Sequence, residues 1–244
     1  MAVAAKYTRF LLDEFDFSGD SNKLTVASTV AVLRNTGFQA EAETSQAGLT
    51  EASIAQEGYY TGKGAGFIEQ EINARLGTAT AVYLAALFGT NIAACPAYVT
   101  TRTWGQQLTI NMPVAELITL SSNWPCSGEL LRGLRLTSVA TQTISGIGAL
   151  ASVDFGLQGT AGGFGYVFTQ VLTGGASPVI DIESSATEGG SYVSEGTATP
   201  AAVGVTVVPL TGTVDRWVRL NVTSMGTTSS FVIVGIVALS GVSY

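Results

Sequence analysis

The sequence predicts a mainly β protein, built of sandwich or barrel layers with one short helix. Three observations carry that reading. Apolar and polar residues alternate at period two through several segments, turn-forming residues recur at short intervals, and polarity comes from hydroxyls and glycine rather than from ions. Thirty Thr, 21 Ser and 29 Gly stand among 244 residues, while charged residues make up only 12%. Exposed helix faces usually carry Glu, Lys and Arg, and charged residues usually reach about a quarter of a globular chain. A helix-dominated fold is therefore disfavoured. An apolar share of 46% with a net charge of only −7 also argues against disorder.

The elements follow in order. Leu24 to Leu33 is rich in β-branched residues and reads as a strand. Phe67, Ile68, Ile72 and Leu76 then recur at helical spacing, with Glu71 four residues before Arg75 and Gly77 placed to end the helix, which predicts a helix over 66–76. Leu108-Thr-Ile110-Asn-Met112 puts three apolar side chains on one face of a strand. Tyr166 to Val171 is strand-like, Ile180 and Ile182 alternate with Asp181 and Glu183, and Val218, Leu220 and Val222 alternate with Arg219 and Asn221. Phe231 to Leu239 is apolar on both faces, as a central strand covered on each side would be. Turn signals lie at Ser18-Gly19-Asp20, Ser145-Gly146-Ile147-Gly148, Gly159 to Gly165, Gly174-Gly175 and Glu188 to Pro200. The glycines near 143–148 predict a boundary, giving a β domain with the helix over 1–145 and a C-terminal β-sandwich part over 146–244.

Several function classes lose their chemistry. The chain has no histidine, hence no Ser-His or Cys-His nucleophile pair and none of the commonest metal ligand. Cys95 and Cys126 are too few for a disulfide scaffold and are expected as reduced thiols. Met1 to Lys6 lacks the pattern of a secretory signal. Mean hydropathy is +0.36, yet the strongest apolar run, Phe231 to Leu239, is far short of the ~20 residues of a spanning helix, so no membrane association is expected. An isoelectric point near 4.5 is wrong for an electrostatic grip on phosphates.

Short motifs yield little. Glu14, Asp16, Ser18, Gly19 and Asp20 resemble a calcium loop, but Thr25 stands where its final acid belongs. Gly58-Tyr-Tyr-Thr-Gly62-Lys63 is one residue short of a phosphate loop, and Gly64 replaces the magnesium-binding hydroxyl. Glu41 with Glu43, or Glu69 with Glu71, could form a carboxylate pair for glycoside hydrolysis; both read as solvated surface acids. Trp104, Trp124 and Trp217 read as packing residues. No catalytic, cofactor-binding or metal-binding residue is assigned, and no enzyme activity is expected.

Charge is uneven. Residues 76–180 carry three acids and three bases in 105 positions, against ten and six in residues 1–75. Interface cores are depleted in charge, so burial against copies of the same chain would explain the poor middle.

In order along the chain, several segments resemble the tail tube (major tail) proteins of long-tailed bacteriophages. They are Arg9 to Leu24 with its Asp16-Phe-Ser18-Gly19-Asp20 centre; Asn35-Thr36-Gly37-Phe38; Ala47-Gly48-Leu49; Glu57-Gly58-Tyr59-Tyr60; Ile118 to Trp124 with Ser127-Gly128 and Arg132-Gly133; and Gly212 to Leu220 with Thr228 to Phe231. Arg34-Asn35 replaces the family's usual Asp. The resemblance implies a tail tube fold and a virion structural protein, assembled in the host cytoplasm, whose stacked hexameric rings form a passive conduit for DNA. Its partners would be itself and other phage tail proteins, with DNA only as transient cargo. The N-terminal strands would line the tube, residues 34–58 would reach the adjacent ring, and the C-terminal sandwich would decorate the outside. Two alternatives remain open: a capsid decoration or cement protein, and a carbohydrate-binding or adhesin module using Trp104 or Trp217.

Overall fold

The computed structural model describes residues 8–34, 45–62, 64–78, 81–88, 95–100, 102–127, 130–137, 142–175 and 177–240. In chain order its elements begin with β1 (Arg9–Leu12), β2 (Phe15–Asp16), β3 (Ser21–Arg34), β4 (Ser45–Tyr59), α1 (Ile68–Arg75), β5 (Leu84–Leu87) and β6 (Pro96–Thr100). There follow β7 (Gln107–Asn111), β8 (Thr119–Pro125), β9 (Leu130–Arg135), β10 (Gln142–Ile144), β11 (Gly148–Ala149) and β12 (Val153–Asp154). The last are β13 (Gly163–Thr173), β14 (Val179–Ser185), β15 (Val193–Ala198), β16 (Gly204–Leu210), β17 (Trp217–Ser224) and β18 (Ser230–Leu239). The fold is mainly β with curled antiparallel sheets and one short helix.

Two compact units interleave along the sequence. Met1–Ser18, Tyr83–Val99 and Leu131–Tyr244 form the first; Gly19–Val82 and Thr100–Leu130 form the second. Position 145, where the glycines suggest a boundary, lies inside the first unit.

The first unit is a sandwich. Its larger sheet runs β16-β13-β18-β9-β6-β5-β1-β2, with β10 also on β18, and its smaller sheet runs β11-β17-β14-β15, with β12 on β17. Alternation explains which side chains go inward. Ile180, Ile182, Val218, Leu220 and Val222 are at most 1% exposed and share one core with Phe231, Ile233 and Val237 of the larger sheet. Burying each such side chain is worth about 1.5–3 kcal/mol. Gly165 and Gly235 let the two sheets close together. A Cβ at Gly165 would lie 2.1 Å from Ile182 Cδ1, and one at Gly235 would lie 2.5 Å from Leu220 Cδ1.

The opposite face of the larger sheet buries Val234, Ile236, Tyr166 and Phe168 with Leu11, Leu87 and Val99. Strand β18 is therefore apolar on both faces because both are covered. The Tyr83 and Tyr166 rings are 6.3 Å apart, so the sheet curls until the start of β5 approaches β13, which is not its neighbour in the strand order.

The second unit is a four-stranded antiparallel sheet, β3-β4-β8-β7, with α1. The helix buries Ile68 and Ile72, and Glu71 Oε2 bonds Arg75 Nη1 at 2.7 Å, one turn away. Gly77 ends the helix at φ +66, a left-handed conformation that glycine adopts freely. The observed helix is thus slightly shorter than the predicted span. Trp124 is fully buried, and a Cβ at Gly105 would sit 3.2 Å from both Trp124 and Leu76. The end of the helix therefore packs on the sheet at the tryptophan.

Candidate assembly surface of the four-stranded sheet

Register sorts the second unit's side chains cleanly. On one face Ile54, Gln56, Leu120, Ser122 and Trp124 are buried. Three of them form a polar chain: Trp124 Nε1 donates to Ser122 Oγ at 2.9 Å, and Ser122 Oγ donates to Gln56 Oε1 at 3.2 Å. The opposite face presents Lys23, Thr25, Ala27 and Thr29 from β3; Glu51, Ser53, Ala55 and Glu57 from β4; Ser121 and Asn123 from β8; and Gln107, Thr109 and Asn111 from β7. None of these is buried. The face is hydroxyl, amide and methyl almost throughout. Lys23 Nζ lies 2.5 Å from Glu57 Oε1, which leaves Glu51 as its one charge with no ion pair among the described residues. Side-chain amides are tied laterally, Asn123 Nδ2 to Gln106 Oε1 at 2.9 Å and Gln107 Nε2 to Thr109 Oγ1 at 3.2 Å. A shallow depression lined by Ala27, Thr29, Ser53 and Asn123 occupies this face.

Both edges of the sheet end without a partner strand among the described residues. Since β3, β4, β8 and β7 pair antiparallel in sequence, the two edge strands, β3 and β7, run in opposite directions. Beyond Ser53, which pairs with Pro125, β8 ends while β3 and β4 continue together to the Arg34–Ser45 pair. Past Ala52, which is still buried, the β3 side of this two-stranded arm is uncovered on both faces: Ser28 to Val32 are all exposed, and on a strand consecutive residues point to opposite sides. An isolated two-stranded ribbon is marginal in water. Strand-like composition at Leu24 to Leu33 therefore reflects pairing rather than burial.

The residues weighed for chemistry do not converge. Asp16 accepts from the Ser18 backbone amide at 3.0 Å and pairs with Arg9 Nη1 at 3.3 Å, so it organises a turn. Among the described residues no group of three or more metal-ligating side chains occurs. Glu71 is held by Arg75 and accepts from the Gly66 amide at 3.0 Å. Glu41, Glu43 and Lys63 lie outside the described residues. Trp124 is core, Trp104 is 40% exposed, and Trp217 is half-buried on β17 beside Arg216, whose guanidinium lies 5.8 Å from its ring centre. Cys95 and Cys126 form no disulfide. The free sheet edges were not legible in the sequence, because an unpaired backbone carries no side-chain signature.

No family model and no curated protein sequence matches the chain. Among solved structures it is similar to a chain of the virion of a native gene transfer agent particle, at 9% identity and TM-score 0.41 over 53% of this chain and 97% of that one. It is similar to the SPP1 tail tube at 12% identity and TM-score 0.42, over 53% of this chain and 78% of the other. It is also similar to the SPP1 Dit protein at 10% identity and TM-score 0.37, over 95% and 98% of the two chains.

Proposed function

We propose that this chain is a virion structural protein that assembles into stacked rings forming a phage tail tube, a passive conduit for DNA. The observation that carries the reading is the second unit's sheet. It has an even number of strands, two free edges of opposite direction, and one uniformly polar face. Rotating a copy about an axis beside the sheet brings β7 of one chain against β3 of the next. That pairing is antiparallel, so the sheet continues from copy to copy without a mismatch. A heterologous contact of this kind closes into a ring when its rotation divides a full turn, and closure removes every exposed edge. The resemblance of the sequence to tail tube proteins supports six copies.

The polar face then lines the bore. Hydroxyls and amides offer no apolar patch on which ejected protein could stick. Glu51, a carboxylate with no ion-pair partner among the described residues, repels phosphates from each copy, so DNA passes without being held. The arm's extension past the sheet supports the expected reach of the 34–58 segment to an adjacent ring. The role asks for no catalytic group and no cofactor, and it places the protein in the virion with other tail proteins as neighbours.

Negative-stain microscopy of the purified protein, with amide hydrogen exchange on dispersed and assembled samples, tests this. Hollow tubes are expected, with protection gained on assembly at Ser21 to Ala27 and Gln107 to Asn111. Compact isolated particles would favour the capsid decoration role instead, and tubes with both edge strands still exchanging freely would rule out ring closure by sheet pairing.

A further inference from the structure

We infer that the curled face of the first unit's larger sheet binds a small tetrahedral oxyanion of the phosphate class, held by Arg135 and Thr137. The inference goes beyond the tube reading and does not depend on it.

Register brings the residues together. Leu134 and Leu136 point into the core between the two sheets of the sandwich. Arg135 and Thr137 alternate with them and so face the other way. On that face Arg135 stands directly across from Ile236 of β18, which packs with Val99 and Leu11. Cys95 sits beside it: the Arg135 backbone amide donates to the Cys95 carbonyl at 3.3 Å, and Arg135 Nη2 lies 4.0 Å from Cys95 Sγ.

The chemistry of this spot is unbalanced. Arg135 is 3% exposed and Thr137 fully buried, yet Arg135 Nε and Thr137 Oγ1 have no hydrogen-bond partner among the described residues. A guanidinium only donates and keeps its proton in proteins, while a thiol is a weak acceptor. Buried charges are ordinarily paired, but no carboxylate pairs with Arg135 among the described residues. Burial pushes its guanidinium below the usual pKa, the Cys95 sulfur offsets part of that, and the positive charge of Arg9 pushes it lower again. Arg9 is itself engaged by Asp16 at 3.3 Å. Two orphaned donors beside an excess of positive charge require an acceptor that carries negative charge.

Geometry selects the class. Residues two apart on a strand are separated by roughly 6.6 Å. An ion that accepts from both needs several oxygens around one centre, and such oxygens also match the guanidinium fork; a halide offers a single point. Burial beneath the chain's own sheet favours a small diffusing ion over a side chain of another protein. The acidic chain repels anions in general, so retention would come from these buried donors and not from surface charge.

The test is equilibrium dialysis of the full chain against radiolabelled inorganic phosphate, with ionic strength held constant by sodium chloride. One phosphate per chain is expected, displaced by sulfate and not by acetate or chloride. Arg135→Gln should weaken binding at least tenfold and Thr137→Val severalfold, with Lys23→Gln unchanged. Phosphate should also raise the thermal unfolding midpoint of the parent and leave that of Arg135→Gln where it was. Should Arg135→Gln fail to fold, Thr137→Val, which keeps the side-chain shape, decides. No saturable binding, undiminished binding by the folded variants, or displacement by chloride or acetate as readily as by sulfate would overturn the site. Tube formation enters none of these outcomes, so the two readings fail separately.

Discussion

Replacing Gly58 by alanine tests how tightly β3 is seated on β4. Gly58 is buried between Ser21 of β3 and Leu120 of β8. A Cβ there would lie 2.0 Å from the Asp20 carbonyl oxygen and 2.9 Å from its carbon, and real Cβ atoms essentially never come within 3.0 Å of another heavy atom. The obstacle is backbone, so no rotamer change relieves it. Strand β3 must retreat by about 1 Å, a small-to-large strain worth about 1–3 kcal/mol. The retreat also stretches the bond from the Tyr59 amide to the Asp20 oxygen, 2.9 Å long, for another ~0.5–1.5 kcal/mol. A loss of about 2–4 kcal/mol should move a urea midpoint down by roughly 1–2 M for a slope near 2 kcal/mol/M. Gly19→Ala is the control, because nothing lies within 4 Å of its Cβ position, and it should stay within ~0.5 kcal/mol of the parent. Equal midpoints for the two variants would refute the close approach and the seating of the edge strand derived from it.

Two further outcomes follow from ionisable groups. The Asp154 carboxylate sits below its ordinary pKa because Arg216 bonds it twice at 2.6 Å and the Gly156 amide donates at 2.7 Å. A depressed carboxylate contributes stability that is full above about pH 4 and is lost as pH falls through the folded value. Asp154→Asn should therefore flatten the acid limb of a stability-versus-pH curve; an unchanged limb would show that the exposed pair contributes nothing. Burial pushes the Cys126 thiol up to about 11, so at pH 8 its alkylation, followed by peptide mass, should be on the order of a hundredfold slower than that of an ordinary thiol with pKa near 8.5. Rapid labelling at pH 8 would contradict that burial.

Local pattern exposed most of the strands and little of their partnering. Val218, Leu220 and Val222 were readable as one buried face because alternation reports burial directly, and the doubly apolar run of β18 was readable as a central strand for the same reason. The helix was readable from Ile68, Ile72 and the Glu71–Arg75 pair. What pattern does not encode is which distant backbone a strand chooses. Strands β1, β5 and β6 join a sheet whose other strands lie mostly beyond residue 130, and nothing in Leu84 to Leu87 names that partner. Charge poverty was a partial guide to where exposed apolar residues lie. Met112, Val114 and Leu117 fall in the charge-poor window, whereas Val30, Val32 and Leu49 fall in the charged N-terminal third and were hidden by strand-like composition. Met112 was grouped with Leu108 and Ile110 on one strand face; it lies one residue past the end of β7 and is 73% exposed.

Interleaving bears on how the chain folds as it leaves the ribosome. Strand β18 joins β13 to β9 and β10, so the larger sheet of the first unit stays in separate pieces until nearly the last residues have been translated. The second unit, drawn from Gly19–Val82 and Thr100–Leu130, has all its strands available long before then. Synthesis thus releases an early module whose sheet edges have no partner strand among the described residues while its companion is still unfinished, a stage at which exposed strand edges make aggregation a hazard.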